Sequence, residues 1–271
     1  MADWTADGEL SAGGKALEYR CYGPVPDQAT TIVMLHEGLG CAALWRDFPE
    51  KIAQVTGMGV VAYSRLGYGK SDAADLPRPL DYMTREAAEV LPQVLDALGA
   101  QRCILLGHSD GATIAAIYAG SVEDFRVRGL VLMAPHFFTE EMGLTEIAKA
   151  RDAFASGDMR DRMAKYHRDP VATFRGWNDA WLDPGFRTWN VAEVIDYLRI
   201  PTLAIQGHDD QYGSLAQISE IEDRSYAPVD TLILDDCRHA PHVDQPKAVL
   251  DAVAEFAARL ERIEAAVVEI A

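Results

Sequence analysis

Short apolar runs alternate with longer stretches of helical spacing, and this alternation most constrains the fold. Buried strands are predicted at residues 31–35, 60–63, 103–106, 130–133, 202–205 and 231–234, with a further edge strand at 15–22. Between them, helices are predicted at residues 45–56, 84–98, 111–119, 215–222 and 246–263. Pro92 should kink the second helix or delay its start. The pattern predicts an α/β fold, a mostly parallel sheet with helices on both faces.

One interval interrupts the alternation. Residues 136–198 contain no clear buried strand, but they include helix-like segments and the tryptophans Trp177, Trp181 and Trp189. We expect this interval to form a helical cap over one end of the sheet. The predicted domains are therefore a core of residues 1–135 and 199–271 and a cap of residues 136–198.

Composition and charge limit the partners. The chain is 49% apolar and 25% charged, without an apolar run of membrane-spanning length, so we expect a soluble protein with no membrane contact. A net charge of −17 opposes nucleic-acid binding and mildly favours a neutral or cationic small-molecule substrate. The first ten residues lack the basic and apolar regions of a secretory signal, which predicts a cytoplasmic location.

The cysteines show no pattern of disulfides or metal ligands. Cys21, Cys41, Cys103 and Cys237 are far apart in the sequence, without a CxxC pair or a His/Cys cluster. We expect them to be reduced and to behave as small hydrophobic residues. We also expect no metal and no organic cofactor.

The segment Gly107-His-Ser-Asp-Gly111 carries the strongest chemical signal. It fits G-x-S-x-G and joins a predicted strand to a predicted helix. Such a sharp turn holds a serine in strained backbone geometry above the strand ends, with glycines where a Cβ would clash. Ser109 is therefore the predicted nucleophile.

A serine needs a base and a residue that orients the base. In this architecture the acid and then the histidine follow the serine, each on a loop after a later strand. The first loop contains Asp209 and Asp210, and the second contains His239 and His242, with Asp235 and Asp236 as further acids. The residues alone leave these alternatives open.

An oxyanion hole requires backbone N–H groups that point at the attacked carbonyl oxygen. One N–H is expected from Asp110, the residue after the nucleophile. The second is assigned to Gly38 in the loop His36-Glu-Gly-Leu-Gly40, called the oxyanion loop below. The N–H of Glu37 or Leu39 could replace it if the loop turns differently.

From about residue 15 to 265 the sequence resembles the α/β-hydrolase superfamily, in the lidded branch of esterases, lactonases and meta-cleavage C–C hydrolases. The matching motifs are the strand-end His36, the turn Ser64-Arg-Leu-Gly-Tyr-Gly-Lys-Ser-Asp72, the segment Gly107-His-Ser-Asp-Gly111 (called the serine turn below), G-x-x-D at Asp210 and His239-Ala-Pro. The resemblance implies an α/β-hydrolase fold with a helical cap inserted after the sixth strand. It also implies a triad of Ser109, Asp210 and His239.

Two departures from the family pattern bear on the substrate. Glu37 stands where a glycine is usual, and His108 and Asp110 stand where many C–C hydrolases have Asn and Met. The second departure weighs against C–C cleavage. Glu37 is interpreted either as a contact to a neighbouring loop or as a residue that touches substrate or tunes His239.

Further pocket candidates come from position in the sequence. His136 and Phe137 follow a strand at its carboxyl end, where pockets form in α/β sheets. The candidates are Glu37, Leu39, His136, Phe137, Trp177 and Trp181. Of the other histidines, His36 and His108 are predicted to be structural, His167 to be solvated in the cap and His208 to lie near the surface.

The predicted activity is that of a serine hydrolase, a carboxylic ester hydrolase of class EC 3.1.1, acting on a small molecule as a carboxylesterase or lactonase. A C–C bond hydrolase and an amidase are alternatives within hydrolases. A ligand-binding receptor on the same fold, or a cofactor-free peroxidase or oxygenase, would be alternatives of another class. The sequence leaves the oligomeric state open, with a homodimer as one option.

Overall fold

An eight-stranded, mostly parallel sheet forms the centre of the structure, a computed structural model that describes residues 6–270. Its strands lie in the order β1-β2-β4-β3-β5-β6-β7-β8. The first strand pairs antiparallel with the second and the second antiparallel with the fourth, and the other pairs are parallel. The strands are β1 (Ala6–Ala12), β2 (Lys15–Tyr22), β3 (Thr31–Leu35), β4 (Gly59–Tyr63), β5 (Cys103–His108), β6 (Val127–Met133), β7 (Thr202–Gly207) and β8 (Val229–Leu234).

The central strands are buried along their length, as their apolar runs predict. Every residue of β3, β4, β5 and β7 is buried, because helices cover both faces of the sheet. The prediction of a buried strand at 231–234 is wrong in one respect. β8 is an edge strand, so of these four residues only Leu234 is buried and Ile233 is 39% exposed.

The opposite edge also differs from the prediction. Residues 15–22 form β2 as a strand, but β1 lies outside it and takes the edge position. Gly13 and Gly14 connect the two strands, and both have positive φ, 59° and 72°. A two-residue Gly-Gly loop between strands is a hairpin signal, which the search for apolar runs missed because β1 is mostly polar.

Ten α-helices and several shorter helical turns are described within residues 6–270. Pro92 lies in the first turn of a helix that begins at Leu91, directly after a π-helical turn at Glu86–Val90, so the predicted later start is observed. The helices are α1 (Phe48–Thr56), α2 (Tyr82–Arg85), α3 (Leu91–Leu98), α4 (Asp110–Ser121), α5 (Glu141–Ser156), α6 (Met159–Met163), α7 (Pro170–Trp181), α8 (Ala216–Arg224), α9 (Pro241–Asp244) and α10 (Pro246–Ile270). None of these helices is both long and apolar enough to traverse a lipid bilayer.

The helices pack on the two faces of the sheet through two separate hydrophobic clusters. One contains α1 and α10 side chains such as Ile52 and Phe256, and the other contains residues of α3 and α4 such as Val94 and Ile114. The predicted α/β fold, a mostly parallel sheet with helices on both faces, is therefore confirmed. All four cysteines are buried in this structure.

The chain between β6 and β7 is helical. It contains α5, α6 and α7, followed by 3-10 turns at Pro184–Thr188 and Ala192–Tyr197. Tryptophans Trp177 and Trp181 of α7 are buried and belong to the same hydrophobic cluster as α4. The division into a core and a cap at residues 136–198 stays a prediction.

The turn between β5 and α4 is strained at Ser109. This residue has φ 54° and ψ −120°, a conformation that costs a non-glycine residue about 1–3 kcal/mol. The Ser109 N–H donates to the Met133 carbonyl at 2.9 Å, and the Ser109 carbonyl accepts from the N–H of Ala112 at 2.9 Å. A Cβ at Gly111 would collide with the backbone of Leu35. The start of α4 is thus pressed against the end of β3.

Replacing Gly111 with alanine should destabilise the fold because the colliding atoms belong to backbone, which cannot rotate away. We expect a loss of at least about 3 kcal/mol in the free energy of unfolding, measured by urea denaturation. The control is Gly99→Ala, where φ is positive at 65° but nothing lies within 4 Å of the added Cβ. That variant should lose only about 1–2 kcal/mol. Equal losses would contradict the close packing of α4 on β3.

Candidate active site

A cavity of about 110 Å³ lies at the carboxyl ends of the strands, where the serine turn meets the helical segment between β6 and β7, residues 134–201. Nine of the residues singled out in the sequence line it: Glu37, Gly38, Leu39, Ser109, Asp110, His136, Trp177, Trp181 and His239. A larger groove of about 650 Å³ includes Val127 and Pro201, near the opposite ends of β6 and β7, and none of the residues predicted for the site.

His239, which lines the cavity together with Ser109, forms a hydrogen-bonded pair with Asp210. The Nδ1 of His239 donates to Asp210 Oδ2 at 2.8 Å, so in the neutral ring Nε2 is the nitrogen without a proton. Between the alternatives left open by the sequence, the structure brings Asp210 to His239. The Asp209 side chain is instead 61% exposed, and the ring of His242 packs against Trp45 at 4.9 Å between centroids.

Asp210 is held in place from several sides. Its Oδ1 accepts the Tyr212 N–H at 2.8 Å, and its Oδ2 accepts the Gln206 side-chain N–H at 2.8 Å. Burial alone would raise the pKa of Asp210, but the hydrogen bond and charge interaction with His239 lower it below its ordinary value. The carboxylate is therefore ionised and suited to stabilise a protonated His239.

The Glu37 carbonyl oxygen is fixed by three donors. It accepts from His36 Nδ1 at 2.7 Å, from Arg65 Nη2 at 3.1 Å and from the Gly40 N–H at 3.1 Å. In a trans peptide the N–H points away from the carbonyl, so the next N–H, that of Gly38, points away from these three donors. Among the described residues, no acceptor binds the N–H of Gly38 or that of Asp110. Both residues line the cavity.

Arg65 and His36 act as supports for the oxyanion loop. The guanidinium of Arg65 also donates to the His36 carbonyl, and the Arg65 N–H donates to His36 Nε2 at 3.1 Å. Since Nε2 accepts, the proton of the ring is on Nδ1, and both ring nitrogens are occupied. Burial lowers the pKa of His36 well below its ordinary value. The structural role predicted for His36 agrees with these contacts.

Glu37 reaches towards His108. Its Oε2 lies 3.7 Å from His108 Nδ1, and its side chain is 32% exposed. Burial would raise the pKa of Glu37, but the interaction with His108 lowers it well below its ordinary value. His108 Nε2 in turn donates to the His239 carbonyl at 2.6 Å. Glu37 thus touches both the cavity and the residue that supports the His239 loop.

The other pocket candidates differ in position. The rings of His136 and His239 are 5.5 Å apart, and Trp177 packs directly on Gly38, where any Cβ would collide with its indole nitrogen. Trp181 Nε1 donates to the hydroxyl of Tyr82 at 3.0 Å. Phe137 is not brought to the cavity, because its fully buried side chain belongs to the hydrophobic core.

His167 corrects a prediction. It was expected to be solvated, but it is only 4% exposed. Its Nδ1 accepts the Gly69 N–H at 3.0 Å, and its Nε2 donates to the Leu39 carbonyl at 3.1 Å. His167 therefore ties the helical segment to the oxyanion loop. His208, in contrast, is exposed as expected.

Four residues of the cavity were missed in the sequence: Glu140, Gly143, Ile147 and Tyr212. The first three lie in or just before the first two turns of α5 at spacings of three and four residues, which places them on one helix face. This periodicity was present in the sequence, but nothing there indicated which face of α5 met the core. Tyr212 follows the acid loop, and its ring lies 4.7 Å from that of His239.

Comparison with known proteins decides the family. The model of the "Alpha/beta hydrolase family" matches residues 32–252 of this chain. The chain belongs to this family. A proline iminopeptidase from Lactobacillus delbrueckii is 29% identical over 113 residues, which are 42% of this chain and 38% of that protein. The match thus spans about two fifths of the curated relative.

Solved structures of α/β hydrolases share the fold over nearly the whole chain. A 2-hydroxy-6-oxo-6-phenylhexa-2,4-dienoate hydrolase from Rhodococcus has a TM-score of 0.78 at 15% identity, with 94% of this chain and 99% of that chain covered. The enol-lactonase from Burkholderia xenovorans has a TM-score of 0.73 at 19% identity, with coverages of 92% and 99%. These identities are low, so the likeness concerns the α/β-hydrolase fold.

His136 should make the stability of this α/β hydrolase depend on pH. Burial lowers its pKa to about 3, whereas an unfolded histidine has a pKa near 6.5. Between these values only the unfolded state takes up the proton, so the folded state loses stability as the pH falls below about 6.5. Replacing His136 with phenylalanine should remove up to about 2 kcal/mol of the loss between pH 7 and pH 5.

The measurement is urea denaturation of both proteins at the two pH values. His208→Phe is the matched control, because this histidine is exposed. Between pH 7 and pH 5 the His208→Phe variant should lose as much free energy of unfolding as the unsubstituted protein. A His136→Phe protein with an unchanged pH dependence would show that His136 is accessible to protons in the folded state.

Proposed function

We propose that this α/β hydrolase is a serine hydrolase that cleaves an ester-type bond of a small molecule, as a carboxylesterase or lactonase. One observation carries the proposal. Ser109 stands in strained geometry on the wall of the same cavity as His239, whose Nδ1 is bound by the ionised Asp210. A nucleophile, a base and a residue that orients the base are the parts required for acyl transfer.

In the proposed mechanism Ser109 Oγ attacks the ester carbonyl while His239 Nε2 takes its proton. The N–H groups of Gly38 and Asp110 stabilise the negative oxygen of the tetrahedral intermediate. His239 then protonates the leaving alcohol, which departs and leaves an acyl-enzyme. A water molecule then attacks the acyl carbon while His239 takes its proton. The bond between that carbon and Ser109 Oγ breaks, His239 returns the proton to Oγ, and the acid leaves.

The charge of the cavity supports ester cleavage over C–C cleavage of a dienoate. A dienoate carries a carboxylate, yet none of the described residues that line the cavity is Lys or Arg. Three of the lining residues, Glu37, Asp110 and Glu140, are acidic. Carboxylates in a confined site repel an anion.

Two neighbouring aspartates allow a sharp test of the triad. Asp210→Asn should lower kcat/KM on short p-nitrophenyl esters by about 10⁴-fold, because the amide no longer stabilises the required tautomer and charge of His239. Asp209→Asn is the matched control and should change kcat/KM by about twofold or less, since its side chain is exposed. Similar effects of the two substitutions would overturn the assignment of the acid.

Removal of the nucleophile tests the reaction class. Ser109→Ala should lower kcat/KM on the same esters by at least about 10⁴-fold, because the remaining oxyanion donors act only on attack by water. Esterase activity equal to that of the unsubstituted protein would overturn the proposal. Steady multiple turnover separates an enzyme from a receptor, which would stop after one equivalent of product per chain.

A further inference from the structure

We propose that Asp110 and Glu37 bind a protonated amine next to the scissile carbonyl, so that the substrates are esters of small α-amino acids. This inference rests on the proposed serine hydrolase function and specifies its substrate class. It follows from the hydrogen-bonding capacity of the cavity carboxylates, their position and the size of the cavity.

Asp110 has a carboxylate oxygen without a partner. The residue is 1% exposed and lines the cavity, and no group in the described structure binds its Oδ1. Its Oδ2 accepts the hydroxyl of Tyr82 at 2.5 Å. Trp181 Nε1 donates to the Tyr82 hydroxyl oxygen, and the Tyr82 hydroxyl in turn donates its proton to Asp110. A buried acceptor without a donor is costly unless a ligand supplies one.

The other two acidic residues of the cavity differ in how many further hydrogen bonds they can accept. Glu140 is saturated, since its oxygens accept from the Ser214 hydroxyl at 2.6 Å and from Gln217 Nε2 at 2.7 Å. Glu37 Oε2 lies 3.7 Å from His108 Nδ1, its carboxylate also interacts with the Glu37 backbone, and its side chain is 32% exposed. Glu37 and Asp110 are therefore the carboxylates that can accept a hydrogen bond from a ligand.

Both carboxylates belong to the proposed oxyanion hole. Asp110 supplies one N–H donor itself, and Glu37 precedes Gly38, which supplies the other. Burial raises the pKa of Asp110, and the charge of the buried Arg65 opposes this rise and offsets part of the carboxylate's effect. A carboxylate so close to a developing oxyanion would still raise the energy of the transition state. A cation on the substrate, within one or two bonds of the carbonyl carbon, would offset this repulsion. An ammonium group on the α-carbon meets that requirement.

The walls and the volume of the cavity fit a small cation. Trp177, Trp181 and Tyr212 present aromatic rings, which attract cations. The volume of about 110 Å³ holds roughly ten water-sized groups, which is enough for a small aminoacyl group. The net charge of −17 would also draw a cation towards the protein. A small aminoacyl group satisfies all three conditions.

Two p-nitrophenyl esters of equal size provide the test. Glycine p-nitrophenyl ester carries an ammonium group where p-nitrophenyl propionate carries a methyl group. With spontaneous hydrolysis subtracted and the pH kept low enough for the amine to be protonated, kcat/KM should be at least about tenfold higher for the glycine ester. The Ser109→Ala variant should hydrolyse neither ester above the spontaneous rate.

The variants locate the source of the preference. Asp110→Asn keeps the shape of the side chain but removes its charge, and should lower the ratio of the two kcat/KM values by about tenfold. Glu37→Gln should lower the ratio in the same direction. The matched controls Asp209→Asn and Glu141→Gln remove the same charges from exposed positions outside the cavity, and should leave the ratio unchanged.

The outcomes separate the two proposals. Hydrolysis of both esters that depends on Ser109, with a ratio near one or in favour of the propionate, would overturn amine recognition and leave the serine hydrolase intact. A preference for the glycine ester that survives both Asp110→Asn and Glu37→Gln would overturn the assignment to these carboxylates. Hydrolysis of neither ester, or hydrolysis that persists in Ser109→Ala, would overturn the serine hydrolase proposal and this inference with it.

Discussion

The strained backbone of Ser109 depends on close packing between α4 and the end of β3. The serine has φ 54° because the chain must leave β5 and begin α4 within one residue, while Gly111 touches the backbone of Leu35. The hydrogen bond from the Ser109 N–H to the Met133 carbonyl anchors the same turn to β6. Three strands thus define where the serine lies. The position of the cavity and of its proposed oxyanion donors follows from this turn.

A second set of contacts connects the remaining loops to that turn. Arg65 and His36 hold the Glu37 carbonyl, and His167 holds the Leu39 carbonyl, so the oxyanion loop is supported by both the sheet and the helical segment. Strain recurs where the loops begin: Ala134, after β6, and Asp236, after β8, also have positive φ, 48° and 50°. Such strain is common around functional sites, where surrounding contacts maintain it. The loops of the cavity are therefore preorganised.

Much of the fold could be predicted because the buried strands are encoded locally, as apolar runs bounded by turns. The serine turn was readable for the same reason, since five consecutive residues specify it. The tertiary contacts were not readable. Nothing local to His167 indicates that its ring is buried between two loops, and nothing in Phe137 distinguishes a core residue from a pocket wall. The choice between Asp209 and Asp210 required a family pattern, and the structure explains it by the orientation of the two side chains.

Covalent labelling of the native protein tests the central claim most directly, because it needs no knowledge of the substrate. An alkyl fluorophosphonate reacts with a serine only when a base and an oxyanion hole activate it. Mass spectrometry of the digested protein should find one adduct, on the peptide that contains Ser109, and the labelling rate should fall sharply in His239→Gln. A folded protein that forms no adduct, or forms it on another residue, would contradict the account.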